Sequence, residues 1–555
     1  MATQSQPQLL PVPENFPFQW DSPEEATRFW TADLMHWPNG VSPLSSSMDM
    51  PAFVRGLLKA ADTLCMPFDT AASNFKVIRG YVYNSFTPYS TDPAKMQARM
   101  GEMQAQMGKH IPGLLDRWYQ QYETEVRSLN DETLNGDYSR LGDRDLAALL
   151  ETLVAKRERE GELHFLAVFP AMGAVMMYEE VYSHLFGEPR AGEHLQLLQG
   201  FPNKSVEVGA GIWQLAMEAR RRPEVLNVLR SVPPAAAAAA LDQTPGGRAF
   251  RGAVDEFLRS YGWRGNELDL ASPTWKEDPT PVYTLIREYA ARDDYNPQDE
   301  FKALVAARQA REKLLFDRLS GGPIDMFQQV LAGAQQYLPI QEDHNFWIDQ
   351  QGLSVQRVPV LEAGRRLAAA GRLAAAADVF FFAYDELQDA LRSGQGDFHD
   401  LIERRRREAQ EFRAAPPPAA LGTPPPPQAE ENPMVDKFFG GLPAESADPR
   451  LINGNAASAG KVTGTARVVL SLDDAHRLQR GDILVCPATM PAWTPLFALA
   501  AAIVTDHGGV LSHTAIVARE YRIPAVVGTK VATSLVQDGR RITVDGAAGT
   551  VKLEA

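Results

Sequence analysis

The residues best suited to chemistry lie in Ile503-Val-Thr-Asp-His-Gly-Gly-Val-Leu-Ser-His-Thr-Ala-Ile-Val-Ala-Arg-Glu520. An apolar run ends near Asp506, Gly508 and Gly509 permit a close turn, and a helix is expected to start at Ser512-His513 with Ile516 and Val517 facing inward. His513 then stands at a helix N-terminus, where backbone N–H donors and the helix dipole favour an incoming phosphoryl group. The same field disfavours an imidazolium and keeps the ring neutral and able to attack, so the geometry suits a phosphohistidine. His507 shares the turn, but His-x5-His across Gly-Gly is no established metal spacing; it is read as a phosphate contact at most, and no metal site is expected.

One boundary organises the elements around that histidine. Pro416 to Pro433 reads PPPAALGTPPPPQAEENP, which neither donates regular hydrogen bonds nor builds a core, and is a linker. In polyproline II form its residues rise about 3.1 Å each and span up to roughly 55 Å, a reach suited to a domain that travels. The chain is accordingly divided into residues 1–413, a linker over 414–434, and residues 435–555. Before the linker the periodicity is helical, over 92–130, 143–160, 162–185, 206–222, 247–261, 299–319, 360–370 and 384–410. A helix start is also read at Ser22-Pro23-Glu24-Glu25, few strands are needed, and 233–240 reads as a surface excursion. After the linker come short β-branched runs at 464–470, 482–485, 501–504, 525–527 and 541–545, with a hairpin over 536–553. The fold expected is multidomain: a largely α-helical substrate-binding region, then a small α/β domain of about a hundred residues.

Composition narrows the partners. The 555 residues hold 55 Lys or Arg against 70 Asp or Glu, a formal charge of −15, with no basic stripe for a nucleic acid. Cys65 and Cys486 sit in no metal-ligand spacing and provide no disulfide framework, which fits a reducing compartment. The N-terminus lacks the pattern of an export signal. The longest apolar stretch, Pro495 to Val504, is shorter than the roughly 20 residues that span a bilayer. A cytoplasmic chain with no nucleic-acid or membrane partner is expected.

The stretch Pro491 to Gly528, PAWTPLFALAAAIVTDHGGVLSHTAIVAREYRIPAVVG, resembles the swivelling phosphohistidine domain of the phosphoenolpyruvate-utilising enzymes. That family includes phosphoenolpyruvate synthase, pyruvate phosphate dikinase and rifampin phosphotransferase. The resemblance implies that His513 accepts a phosphoryl group at an ATP site and carries it to a second substrate. Gly508, Gly509, Ser512, Thr514 and Arg519 are then its supporting residues. Leu511 stands where several dikinases have Thr, so the regulatory phosphorylation known beside that histidine has no acceptor here. Thr514 replaces the commoner Ala. Most of residues 15 to 410 resembles the substrate-binding part of rifampin phosphotransferase-like proteins, through Tyr261 to Pro279, Glu342 to Asp349 and Asp378 to Leu387.

No ATP-grasp sequence and no barrel after the carrier domain is read in these residues. The expectation is a split dikinase with paired acceptors, laid out like phenylphosphate synthase, with ATP and Mg2+ on a separate ATP-grasp subunit and pyruvate a poor acceptor. The expected acceptor is the hydroxyl of a small phenolic or alcoholic substrate. Its proton must be removed and the transferred charge stabilised. His344, with Asp343 and Glu342, is the candidate base and orienter; Arg264, with Glu267 and Lys276, is the candidate charge partner; each is equally readable as a structural ion pair. Phe165, Phe169, Met172 and Met176 share one helix face, which is either ordinary core or the wall of a flat apolar pocket. Two other readings stay open: a phosphotransferase acting on a rifamycin-like antibiotic, and a non-catalytic phosphocarrier that passes phosphate to another protein.

Overall fold

The computed structural model describes residues 9–554 apart from 188, 190–192, 293–295, 416, 425–436, 438–439 and 441–445, so most of the proline-rich linker lies outside the described residues. The chain packs into two compact units. One comprises Met1–Ala167, Glu267–Ser272 and Trp347–Glu431; the other comprises Val168–Asn266, Pro273–Phe346 and Asn432–Ala555. The helical region as a whole is followed by a small α/β domain, as the sequence implies.

The first unit is largely helical, as expected, and its few strands form a four-stranded antiparallel sheet. Its strands are β1 (Phe29–Ala32), β2 (Asn74–Ile78), β3 (Tyr81–Ser85) and β4 (Ala420–Gly422), in the order β2-β3-β1-β4. Strands of three to five residues are too short to impose a period on the sequence. They are held by aromatic packing: Phe16, Trp30, Tyr81, Tyr83 and Leu421 form one buried cluster. Strand β4 belongs to the proline-rich segment, and Leu421 pairs with Trp30 while the Tyr83 hydroxyl donates to the Pro418 carbonyl at 2.8 Å. The described start of the expected linker is thus an edge strand, where a proline's missing N–H does no harm.

Two further expectations change. Residues 143–160 and 162–185 form one helix, Asp143–Phe186. Gly161 does not break it, because the helix Met50–Thr63 packs against its backbone: a Cβ at Gly161 would lie 2.5 Å from the Phe53 carbonyl oxygen, and one at Gly56 would lie 2.2 Å from that of Glu158. This helix is long and apolar enough to cross a membrane by length and composition, but 61% of the qualifying window is buried inside the protein, as in a core helix. The excursion at 233–240 is a 3-10 turn followed by a short helix, Ala237–Leu241, that buries Ala237 and Leu241. The helix read at Ser22 does start there, at Pro23, and lasts five residues.

The second unit contains a mixed eight-stranded sheet of β5 (Leu451–Asn453), β6 (Asn455–Ser458), β7 (Lys461–Val468), β8 (Ile483–Cys486), β9 (Ala502–Thr505), β10 (Ala525–Val527), β11 (Arg541–Asp545) and β12 (Thr550–Leu553). Its order is β5-β12-β11-β7-β8-β9-β10-β6, with β7 to β10 parallel to their neighbours within that run. Strands β8, β9 and β10 are buried along their whole length, which suits parallel strands covered on both faces and explains their unbroken apolar sequence. Val485, Val504, Val526, Ile542 and Val551 lead its core. Cys486 is buried in β8, while Cys65, in the first unit, is partly exposed; both are free thiols.

Candidate active site

Strand β9 delivers the chain to Asp506, whose carboxylate accepts from the Thr533 N–H at 3.1 Å, from the Thr529 hydroxyl at 3.2 Å and from the Thr533 hydroxyl. Burial pushes that carboxyl up and the threonine bonds only partly offset it, so Asp506 serves as a fixed anchor under the turn. The turn demands glycine at 508: its φ is +109°, and a Cβ there would lie 2.9 Å from the Ser512 hydroxyl. The Ser512 N–H donates to the Gly509 carbonyl at 3.1 Å, and the Ser512 hydroxyl caps the helix His513–Glu520 by accepting from the Ala515 N–H at 3.4 Å. Arg519 folds back from the last turn and donates to the carbonyls of Val510, at 2.8 Å, and Ala457, at 3.0 Å, tying the loop to its own helix. Burial pushes its guanidinium down to about 10. The Thr514 and Thr489 hydroxyls bond at 2.8 Å.

His513 is thereby held with its ring 12% exposed and a partner on each nitrogen. Nδ1 lies 3.1 Å from Glu342 Oε1 and Nε2 lies 3.2 Å from the Thr494 hydroxyl. The other oxygen of Glu342 accepts from the Ser205 hydroxyl. Burial alone would push the Glu342 carboxyl up, but His513, Ser205 and Arg264 together hold it below its ordinary value. An ionised carboxylate only accepts, so the proton sits on Nδ1 and the lone pair of Nε2 faces the Thr494 hydroxyl. The Tyr337 hydroxyl donates to the Leu511 carbonyl at 2.9 Å and fixes the turn from the helical side.

Arg264 completes the cluster. It is 1% exposed and its Nη1 donates to the Pro491 carbonyl at 3.1 Å, at the start of the segment that carries Thr494. Its Nε and Nη2 have no hydrogen-bond partner among the described residues. Burial pushes the guanidinium down to about 10, with Glu342 the main opposing charge. A buried cation with two unsatisfied donors is costly unless an anion comes to it.

The other sequence candidates are distributed differently. His344 donates from Nδ1 to the Ile340 carbonyl at 2.7 Å, and Asp343 accepts from the Lys204 N–H at 2.8 Å, so the expected base and orienter serve separate contacts. Adjacent helical residues are rotated by about 100°, and of the three in this run it is Glu342 that turns to His513. Glu267 lies in the first unit and accepts from the Asn39 side chain at 2.9 Å. The Lys276 ammonium sits 4.0 Å from the centre of the Trp263 ring. The apolar row is divided: Phe165, in the first unit, packs on Phe53 and His164, while Met172 is buried and Phe169 and Met176 are half-buried in the second. Thr494, Ser205 and Tyr337 were not singled out by sequence, since a hydroxyl carries no spacing signature.

Residues 164–342 match the family model described as the rifampicin phosphotransferase fourth domain, and residues 478–549 match that of the mobile domain of PEP-utilising enzymes. The chain is 34% identical to chondramide synthase cmdD of Chondromyces crocatus over 98% of its own length and 14% of that protein. It is 30% identical to the uncharacterized phosphotransferase YvkC of Bacillus subtilis (strain 168), over 94% of the chain and 61% of the relative. It is 29% identical to a rifampicin phosphotransferase of Streptomyces sviceus, over 72% of the chain and 45% of the relative. The chain therefore spans less than two thirds of the length of each of these relatives.

Proposed function

The chain belongs to the phosphoenolpyruvate-utilising enzymes and shares the layout of the rifampicin phosphotransferases, and on that premise we propose that it is the phosphohistidine-carrying and acceptor-binding part of an ATP-dependent phosphotransferase. The observation that carries this reading is the bracketing of His513 by Glu342 and Thr494. With Nδ1–H held by a carboxylate, Nε2 is the attacking nitrogen. It takes the β-phosphoryl group of ATP, and once the phosphorylated carrier is back beside the helical part Glu342 faces the cationic ring and stabilises it. In the second half-reaction the N–P bond breaks as a substrate hydroxyl oxygen bonds to phosphorus, and the ring returns to its neutral form. Water takes the γ-phosphoryl group as inorganic phosphate, so ATP, water and the hydroxyl compound give AMP, inorganic phosphate and the phosphorylated compound, with release of the hydroxyl proton. Phosphoryl transfer requires positioning and charge neutralisation more than covalent help, and the two unsatisfied donors of Arg264 are suited to the moving phosphoryl oxygens.

An ATP-grasp unit handles ATP with its Mg2+ and receives the carrier portion when His513 leaves Glu342. The leading acceptor is a phenolic or other aromatic hydroxyl compound. A rifamycin-like antibiotic is the second reading, favoured by the match of 164–342 to the rifampicin phosphotransferase fourth domain. Incubation with an ATP-grasp unit and ATP labelled at the β-phosphorus should give an acid-labile phosphoprotein, absent in His513→Ala. A label that persists in that variant would sink the assignment. A screen of phenols, aromatic ketones and rifamycins that follows AMP release separates the acceptors; discharge by a protein alone would leave the phosphocarrier reading in their place.

A further inference from the structure

Ser205 bonds the oxygen of Glu342 that His513 does not use. It stands in the first turn of the helix Lys204–Arg220, which Asn203 opens by accepting from the Val206 N–H at 3.0 Å. That turn is joined twice to the helix Tyr337–His344: the Lys204 N–H donates to Asp343 Oδ1 at 2.8 Å, and the Ser205 hydroxyl donates to Glu342 Oε2. Glu342 Oε1 then meets His513 Nδ1 at 3.1 Å, so one line of contacts joins three helices of the second unit. Ser205 and Glu342 are 4% and 2% exposed, and water is a poor substitute for either contact.

A glutamate's last torsion is broad and two-fold, and the side chain by itself does not decide where its oxygens point. A hydroxyl that donates to Oε2 decides it, and turns Oε1 to the ring. The same bond acts on charge: hydrogen bonds to a carboxylate favour the ionised form, which only accepts, whereas burial favours the acid. If Glu342 took up a solvent proton, its carboxyl would donate to Nδ1 and the ring's own proton would stand on Nε2, the nitrogen that must carry phosphorus. With a phosphoryl group on Nε2, the proton between Oε1 and Nδ1 has two places. On the ring it makes the leaving group a neutral imidazole; on Glu342 it makes it an imidazolate.

We propose that Ser205 is a positioning residue for phosphoryl transfer: through Oε2 it aims Glu342 at His513 and holds it as an acceptor, so that the ring keeps its proton on Nδ1. The consequence for transfer rests on His513 being the phosphoryl carrier; the consequence for the proton is a property of the resting chain.

The charges around Glu342 agree with this. Burial pushes its carboxyl up, and His513, Ser205 and Arg264 outweigh burial and hold it below its ordinary value. The neighbouring ionisable groups are Glu520 of the helix His513–Glu520, Tyr337, Asp343 and His344 of its own helix, and Lys204 and Glu207 beside Ser205, which pair with each other at 2.7 Å. Among the three groups that lower the carboxyl, Ser205 is the one that never carries a charge. Its removal therefore changes the hydrogen bonding of Glu342 and leaves the ionic surroundings as they are.

NMR of the full chain labelled with 13C at the glutamate carboxyl carbon tests this, with the Glu342 resonance assigned by its loss in Glu342→Gln. In the wild type it should remain that of a carboxylate to a pH below the ordinary glutamate range. Ser205→Ala should move the midpoint up by about one pH unit, the worth of one hydrogen bond to a charged group. Ser205→Thr keeps the hydroxyl and should restore the wild-type curve, and Ser205→Cys, a weak donor, should fall between. In 15N spectra at pH 8.5 the wild-type His513 ring should be protonated on Nδ1, and Ser205→Ala should show a mixture of the two tautomers. The proposal is overturned if Ser205→Ala titrates as wild type, if Ser205→Thr titrates as Ser205→Ala, or if the wild-type ring carries its proton on Nε2 at pH 8.5. Because these curves are read without phosphate, failure of His513 to take the ATP label would remove the carrier assignment and leave them unchanged.

Discussion

The carboxylate of Glu342 meets Nδ1 of His513 at 3.1 Å although 171 positions separate the two residues. One belongs to the short helix Tyr337–His344 and the other to the first turn of the helix His513–Glu520. In the proposed reaction the contact chooses which ring nitrogen reacts, and it puts a negative charge where the phosphorylated ring is positive.

Glu342→Gln should therefore retain shape and lose the field. The amide can accept from Nδ1 through its oxygen, so the fold is expected to survive, while the rate of His513 discharge to the acceptor falls by about 100-fold. Rapid-quench measurement of the label decides the matter; unchanged discharge would leave Glu342 as a structural partner only.

Arg264→Met separates catalysis from stability. Removal of a buried cation with two unsatisfied donors should leave the melting temperature equal or higher, because the methionine side chain needs no partner. Phosphoryl discharge is expected to fall by two orders of magnitude, roughly the worth of one well-placed charge in the transition state. Loss of stability together with normal discharge would assign Arg264 to the framework.

Gly508→Ala places a Cβ 2.9 Å from the Ser512 hydroxyl at a φ of +109°. The strain should cost on the order of 1–3 kcal/mol by denaturant unfolding. It should also displace the Ser512 cap and so reduce labelling of His513. Stability equal to wild type would mean that the turn relaxes freely.

Glu520 gives the chain a pH dependence of its own. Its carboxyl titrates at about 7 when folded and near its ordinary value when unfolded, so the native state binds the extra proton between those limits. The stability it contributes is present below the unfolded value and is lost as pH rises through about 7. Glu520→Gln should flatten the melting profile between pH 5 and 8 and raise stability at pH 8 by on the order of 1–3 kcal/mol. A wild-type profile already flat across that window would exclude the effect.

The carrier portion was the most legible part of the sequence, because its turn glycines, its cap and its β-branched runs are all local signals. The strands at 483–486, 502–505, 525–527 and 541–545 fall within a residue or two of where those runs lie. Strand β4 was illegible for the opposite reason: its partner Trp30 is about 390 residues away, and the pairing is defined only in three dimensions. The acceptor side failed in a similar manner. Glu342, Asp343 and His344 read as one catalytic group along the chain, but a helix turns successive side chains apart, and only folding reveals that the first of them faces His513. The aromatic and methionine row kept its helical spacing, yet its residues are shared between two units.

The two cysteines make the chain its own reporter. A maleimide dye reacts with the thiolate, and Cys486 is fully buried in β8 with its thiol pushed well above the ordinary value, while Cys65 is partly exposed in the first unit. Brief labelling should thus mark one position without any engineering. A second equivalent of dye would then be taken up only when β8 opens, which gives a colorimetric clock for unfolding of the carrier sheet in the unmodified protein.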